Sequence, residues 1–138
     1  MTLTVAQARD DMTKMVKDVW PTGKTLVYDD IAGAEIPSAD LWGRVTIRHV
    51  EGFQSTLSGA LGKQRYTRIG VLTVQIFAAS GKGLSDADAT AKIVLDAFEG
   101  KASPGGVWFR NGKVQEVGPD GNFFQMNVTF TFEYDEVK

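Results

Sequence analysis

At 138 residues the chain has the length of one ordinary domain, enough to bury roughly two thirds of its unfolded surface. Hydrophobic residues make up 43% and charged residues 23%, which is globular composition and excludes a disordered chain. The net charge of −2 supplies no overall attraction to nucleic acid or anionic lipid, and the absence of cysteine removes disulfides, thiolate nucleophiles and Cys-ligated zinc.

Met1 to Ala8 holds no basic stretch followed by an apolar core, so no secretory signal is expected there. No apolar run approaches the roughly 18 residues that a membrane helix needs, and no membrane partner is expected. Charge is uneven along the chain. Arg44, Arg48, Lys63, Arg65 and Arg68 cluster in the middle, while Asp86, Asp88, Asp96, Glu99, Glu133, Asp135 and Glu136 follow later.

The first predicted element is a helix. Thr4 is placed to cap it, with Gln7 at the reciprocal capping-box position. Val5, Ala8, Met12, Met15, Val16 and Val19 recur at helical spacing as one apolar stripe. Trp20-Pro21 stops it, because proline disfavours helical geometry in the residue before it. A short strand, Leu26-Val27-Tyr28, ends in Asp29-Asp30, and the segment to Ser38, with Gly33 and Pro37, reads as loop. From Leu41 to Val50 the pattern alternates, with Val45 and Ile47 inward and Arg44, Thr46 and Arg48 outward. Glu51 to Gly62, rich in glycine and small residues, reads as a long connection.

Tyr66 to Ala78 is the third predicted strand, with Leu72, Val74 and Ile76 on one face. Ser80-Gly81-Lys82-Gly83 breaks it. Ser85 then stands at the cap of a second helix, with Asp86 and Asp88 near its positive end. Ala87, Ala91, Val94, Leu95 and Phe98 form its buried stripe, and Gly100 suits its left-handed terminator. Val107–Arg110 and Lys113–Val117 flank Asn111-Gly112, a strong hairpin signal, and Pro119-Asp120-Gly121 reads as the next turn. In the last strand Phe124, Met126, Val128, Phe130, Phe132 and Tyr134 share one face, opposite Gln125, Asn127, Thr129, Thr131 and Glu133.

The expected order is α-β-β-β-α-β-β-β: a single α+β domain over residues 1–138. Its one sheet, mixed or antiparallel, has about five to six strands, and both helices pack on one face. The opposite face, bearing Arg, Thr, Gln and Asn, is left to meet solvent or another polar surface.

The residues offer little catalytic chemistry. One histidine, His49, lies on a strand, and no G-x-S-x-G motif supplies a nucleophile for it. A single histidine without cysteine is no zinc site. Asp29-Asp30 reads as a turn rather than half of a cation site. Gly81-x-Gly83 lacks the rest of a phosphate-binding loop. No enzyme activity, metal or cofactor is expected. A nucleic-acid surface built from the basic residues with Tyr66 remains an alternative, against the simpler reading of a solvated polar sheet face. Phe53, Leu57 and Leu61 are apolar residues in a Gly- and Ser-rich connection. They read as partner anchors or as a loop folded over its own core.

Taken in order, these features resemble the tail terminator proteins of long-tailed phages, the group related to the lambda minor tail protein U. The matching run comprises the amphipathic helix, Leu26-Val27-Tyr28-Asp29-Asp30, Pro37, Trp42-Gly43-Arg44-Val45 and the Gly- and Ser-rich connection Gly52 to Gly62. It continues through Arg65-Tyr66-x-Arg68-x-Gly70-Val71-x-x-Val74-Gln75-Ile76-Phe77, the helix Ala87 to Phe98 with Gly100, and the alternating aromatic strand. Asp30 departs from the Asn often found there, and the segment after Phe77 lacks a common proline.

The resemblance implies a non-enzymatic virion protein of the tail or neck, assembled in the host cytoplasm. Such a protein forms a ring of identical copies, commonly a hexamer, that caps the tail tube and stops its growth. It then presents a surface for head–tail joining. The implied partners are other copies of itself, the tail tube protein and a head-completion protein, with DNA only passing through the lumen. A head-completion or connector-like neck protein is the nearest alternative, and a small nucleic-acid-binding domain a further one. A head-to-tail ring needs two complementary surfaces per subunit. The basic middle and the acidic second helix and C-terminal end are the expected pair. Arg44, Arg48, Arg65 and Arg68 would face a neighbour's acids, with Phe53, Leu57 and Leu61 as anchors.

Overall fold

The computed structural model describes residues 2–28, 37, 40–56, 60–81 and 83–138. Elements follow in the order α1 (Val5–Val19), β1 (Thr25–Tyr28), β2 (Trp42–Gln54), β3 (Arg65–Ala79), α2 (Ser85–Phe98), β4 (Trp108–Asp120) and β5 (Phe123–Val137). The fold is α+β. One five-stranded mixed sheet runs β1-β2-β3-β5-β4, with β1 parallel to β2 and every other neighbouring pair antiparallel.

Helix α1 begins as its capping box dictates. The Gln7 N–H donates to Thr4 Oγ1 (3.2 Å), and the Thr4 N–H donates to Gln7 Oε1 (3.0 Å). Trp20 ends it in extended conformation, as its position before Pro21 requires. Ala8, Met12 and Val16 are fully buried, whereas Val5, at the first turn, is exposed. Helix α2 has Asp86 and Asp88 in its first turn, where the macrodipole favours them. Its N-cap is Leu84, with no side-chain cap bond, so the expected cap at Ser85 is not formed. Gly100 takes the left-handed conformation (φ 68°) that follows the helix.

Both helices cover the face that the alternation marks as apolar. Val45 and Ile47 of β2, Leu72, Val74 and Ile76 of β3, and Met126, Val128, Phe130, Phe132 and Tyr134 of β5 join Ala8, Met12, Val16, Ala87, Ala91, Val94 and Phe98 in one core. Phe98 packs against Phe109 and Phe130 with ring centroids 4.7 and 5.0 Å away. Each such side chain contributes about 1.5–3 kcal/mol before entropy is charged. Asp11 ties α1 to the segment before β4: the Ser103 hydroxyl and the Gly105 N–H both donate to its Oδ2 at 2.8 Å.

Three departures from the expected pattern matter for function. The Asn111-Gly112 pair makes no hairpin. It is a bulge inside the single strand β4, with a register shift between Arg110 and Lys113 and Asn111 at φ 55°. Gly112 leaves room there for the Phe130 ring and Leu95. The two strands expected on either side of it are therefore one, and the order ends α-β-β. The β4–β5 turn is tighter than expected, resting on Gly121 and Asn122 beyond the end of β4. Finally, β2 continues through Gln54 past a bulge between His49 and Glu51. This places Phe53 on a strand instead of a loop. Asp29, Asp30 and Leu57 lie outside the described residues.

Gly70 illustrates how tightly the central strands meet. A Cβ there would overlap the Arg48 carbonyl oxygen and the Phe132 ring. Gly70→Ala should therefore cost about 1–3 kcal/mol. Urea unfolding measures this, and a variant as stable as the parent would show that the strands readily give way.

Candidate functional site

The register fixes which side chains share the uncovered face of the sheet. Successive cross-strand rows read Arg44–Gln75–Asn127–Gln115, Thr46–Thr73–Thr129–Lys113 and Arg48–Val71–Thr131–Arg110. These three rows contain no carboxylate. Hydroxyls and amides fill the centre, Val71 is 37% exposed in the middle, and cations stand on both flanks. Among the described residues, no carboxylate lies within ion-pair distance of Arg44, Arg48 or Lys113. Arg44 lies over the Trp42 ring, 5.5 Å from its centroid. Arg110 pairs with Glu133.

The next rows carry apolar groups among paired charges. Glu51–Ile69–Glu133–Trp108 is followed by Phe53–Thr67–Asp135. Trp108 is 70% exposed and Phe53 46% exposed. Trp108 borders a hollow of about 330 Å³ with Arg65, Gly106, Glu133, Tyr134 and Asp135. Arg65 meets Asp135 at 3.4 Å across the strands. Beyond them the β2–β3 connection holds Leu61, 93% exposed. Exposed aromatics ringed by arginines and acids have the composition of a protein-binding surface.

At the opposite end of this face Trp42 and Phe77 stack with centroids 4.1 Å apart, and Phe123 meets Trp42 edge-on at 6.1 Å. Trp42 and Phe77 are buried, so the face is not polar throughout as its β5 alternation alone suggests.

The seven residues singled out from the sequence therefore divide. Arg44, Arg48, Phe53 and Arg65 lie on the uncovered face. Leu61 is exposed in the β2–β3 connection. Arg68 points to the other side of the sheet, where it pairs with Glu136 at 3.1 Å and lies over the Tyr66 ring. The expected four-arginine set is thus not one surface, and Arg110 and Lys113 from β4 take the place of Arg68. Trp108 went unrecognised in the sequence because it stands between two buried residues, Val107 and Phe109, whose alternation reads simply as strand.

On the helix-covered side, the half-buried His49 ring lies beside the buried Tyr134. Its Nε2 shares a 2.6 Å hydrogen bond with the Tyr134 hydroxyl, and its ring meets Phe132 edge-on at 5.1 Å. Burial, reinforced by the Arg9 and Arg68 guanidiniums, holds its pKa below the ordinary 6.5. Burial also raises Tyr134 above its ordinary value. Among the described residues, no group of three or more His, Cys, Asp or Glu side chains is placed to hold a metal ion. No helix among the described residues is long and apolar enough to cross a membrane.

No family model and no curated protein matches the chain. Sixteen solved chains match it in structure. One has a TM-score of 0.62 at 16% identity, covering 93% of this chain and 90% of that one. At that identity the likeness shows the fold alone.

The depressed histidine gives a signed pH dependence. The unfolded chain takes up a proton near pH 6.5 that folded His49 resists, so stability is lost as pH falls through that value. Urea midpoints should drop between pH 7.5 and 5, and His49→Gln should flatten that drop. An unchanged profile in the variant would place the titration elsewhere.

Proposed function

We propose that this chain is a structural phage subunit of the tail terminator kind. It assembles with copies of itself into a ring, commonly hexameric, that caps a tail tube and offers a joining surface to a head-completion protein. It acts through surface contacts in the tail or neck of the virion and not as an enzyme, with DNA only passing through the lumen.

One observation carries the reading. The uncovered sheet face holds Phe53, Val71 and Trp108 in the open, amid flanking cations and cross-strand ion pairs, although nothing in the monomer's core needs them. Exposed ion pairs such as Arg65–Asp135 contribute only about 0–1 kcal/mol to a monomer. Their value rises when a partner excludes water from them. The run from Trp42-Gly43-Arg44-Val45 through Val74-Gln75-Ile76-Phe77, which carries the family resemblance, forms the β2–β3 half of this face.

Electron microscopy of the purified protein, alone and mixed with tail tubes, tests the proposal: rings at tube ends are the expected result. Trp108→Ala should weaken assembly by about 2 kcal/mol or more, as for a central interface tryptophan. Monomer stability should stay within about 0.5 kcal/mol, because the side chain is largely exposed. Tubes left uncapped, or a variant that assembles as well as the parent, would count against this surface.

A further inference from the structure

The cations that flank the uncovered face invite an acidic partner, and the same chain carries one on its other side. Helix α2 turns Asp86, Asp88, Ala89, Lys92, Ile93 and Asp96 to solvent, followed by exposed Glu99, with Ile93 44% exposed. At 100° per residue, Asp86 stands beside Ile93 on one flank of the Ala89–Ile93 strip, and Asp96, Glu99 and Asp88 follow in that order on the other, with Asp88 turned furthest from it. Asp86 and Asp96 thus border one small apolar strip on its two sides, with Glu99 beyond Asp96, and the helix's single lysine, Lys92, pairs with Asp96 at 2.9 Å.

The dimensions agree with the charges. From β2, with Arg44 and Arg48, to β4, with Arg110 and Lys113, is three inter-strand steps, about 14 Å. A helix with its side chains is about 10–12 Å across. A helix laid between the two cation columns with its apolar strip on Val71 turns Asp86 toward one column and Asp96 and Glu99 toward the other. Because α2 and the uncovered face lie on opposite sides of one subunit, this contact repeats from copy to copy and never satisfies itself. A head-to-tail contact of this kind makes a ring when the rotation from copy to copy closes.

We infer that the uncovered sheet face receives helix α2 of a second copy of this chain, Ile93 against Val71, with Asp86, Asp96 and Glu99 toward Arg44, Arg48 and Lys113. This contact rests on the ring reading above and names the two surfaces that close it.

The absence of cysteine permits a direct test. Chains carrying Val71→Cys and chains carrying Ile93→Cys are mixed and oxidised. The expected product is the mixed disulfide, in excess of either homodimer. Arg44→Glu with Arg48→Glu should reduce it about tenfold or more, as should Asp96→Lys with Glu99→Lys. The latter pair sits at the helix C-terminus, where lysine suits the macrodipole and leaves α2 intact. Mixing the acid-bearing sheet with the lysine-bearing helix should restore the cross-link.

Failure of the swap to restore it, or equal homodimer yields, overturns the contact. If microscopy then still shows rings, the ring stands and its interface lies elsewhere. If neither rings nor mixed disulfides form, the ring reading falls as well. Should the sheet reversals instead abolish binding to duplex DNA and leave cross-linking untouched, the face is a phosphate-contact surface and the contact is refuted.

Discussion

The rest of this structure depends on the ladder between β3 and β5. All fifteen residues of β3, from Arg65 to Ala79, pair with β5 from Val137 to Phe123 without a register shift. Because strand side chains alternate with a period of two, that unbroken register commits Leu72, Val74, Ile76, Met126, Val128, Phe130 and Phe132 to one side of the sheet. A slip of one residue would carry the whole apolar set of the slipped strand to the other face. The same commitment sends Val71, Thr73, Gln75, Asn127, Thr129 and Thr131 outward, so the core and the candidate surface are two consequences of one pairing.

Much of the fold was legible because the signals that specify it are local. Thr4 and Gln7 cap α1 through atoms three residues apart, and the alternation from Phe124 to Tyr134 marks its own buried face. The failures share a different cause. Asn111-Gly112 supplies the left-handed conformation that a tight hairpin turn wants, but a β-bulge wants it too. Only the packing of Phe130 and Leu95 against Gly112 decides for the bulge. Phe53 follows a glycine in a run of small residues and reads as loop, whereas it pairs with Thr67 across the sheet. Ser85 has the right chemistry for a cap but stands one residue inside the helix that Leu84 begins.

The candidate surface was less legible still, because it is assembled by pairings distant in the chain. Arg44 and Arg48 were visible as partners on one strand. Their counterparts Lys113 and Arg110 lie more than sixty positions further along and reach the same face only through β3 and β5. Conversely, Arg65 and Arg68 are near neighbours in sequence, but their odd spacing on a strand sends them to opposite sides. Proximity in a chain therefore misled where a sheet's register, once known, does not.

The sheet's two edges bear on how such a subunit associates. On one side β4 is interrupted by shifts at Arg110/Lys113 and at Glu116/Gly118, and carries Pro119, which has no N–H to donate. On the other, β2 beyond its short pairing with β1 is broken by the bulge that leaves Val50 69% exposed. Bulges and proline blunt an edge by interrupting the regular row of backbone donors and acceptors that a foreign strand needs. Edge-to-edge addition, which would lengthen the sheet without limit, is therefore disfavoured on both sides. The uncovered face has no such protection: its apolar groups stand open, and among the described residues Arg44, Arg48 and Lys113 have no carboxylate within ion-pair distance. The proposed association would therefore run through side chains instead of backbone, where charge and shape select the partner.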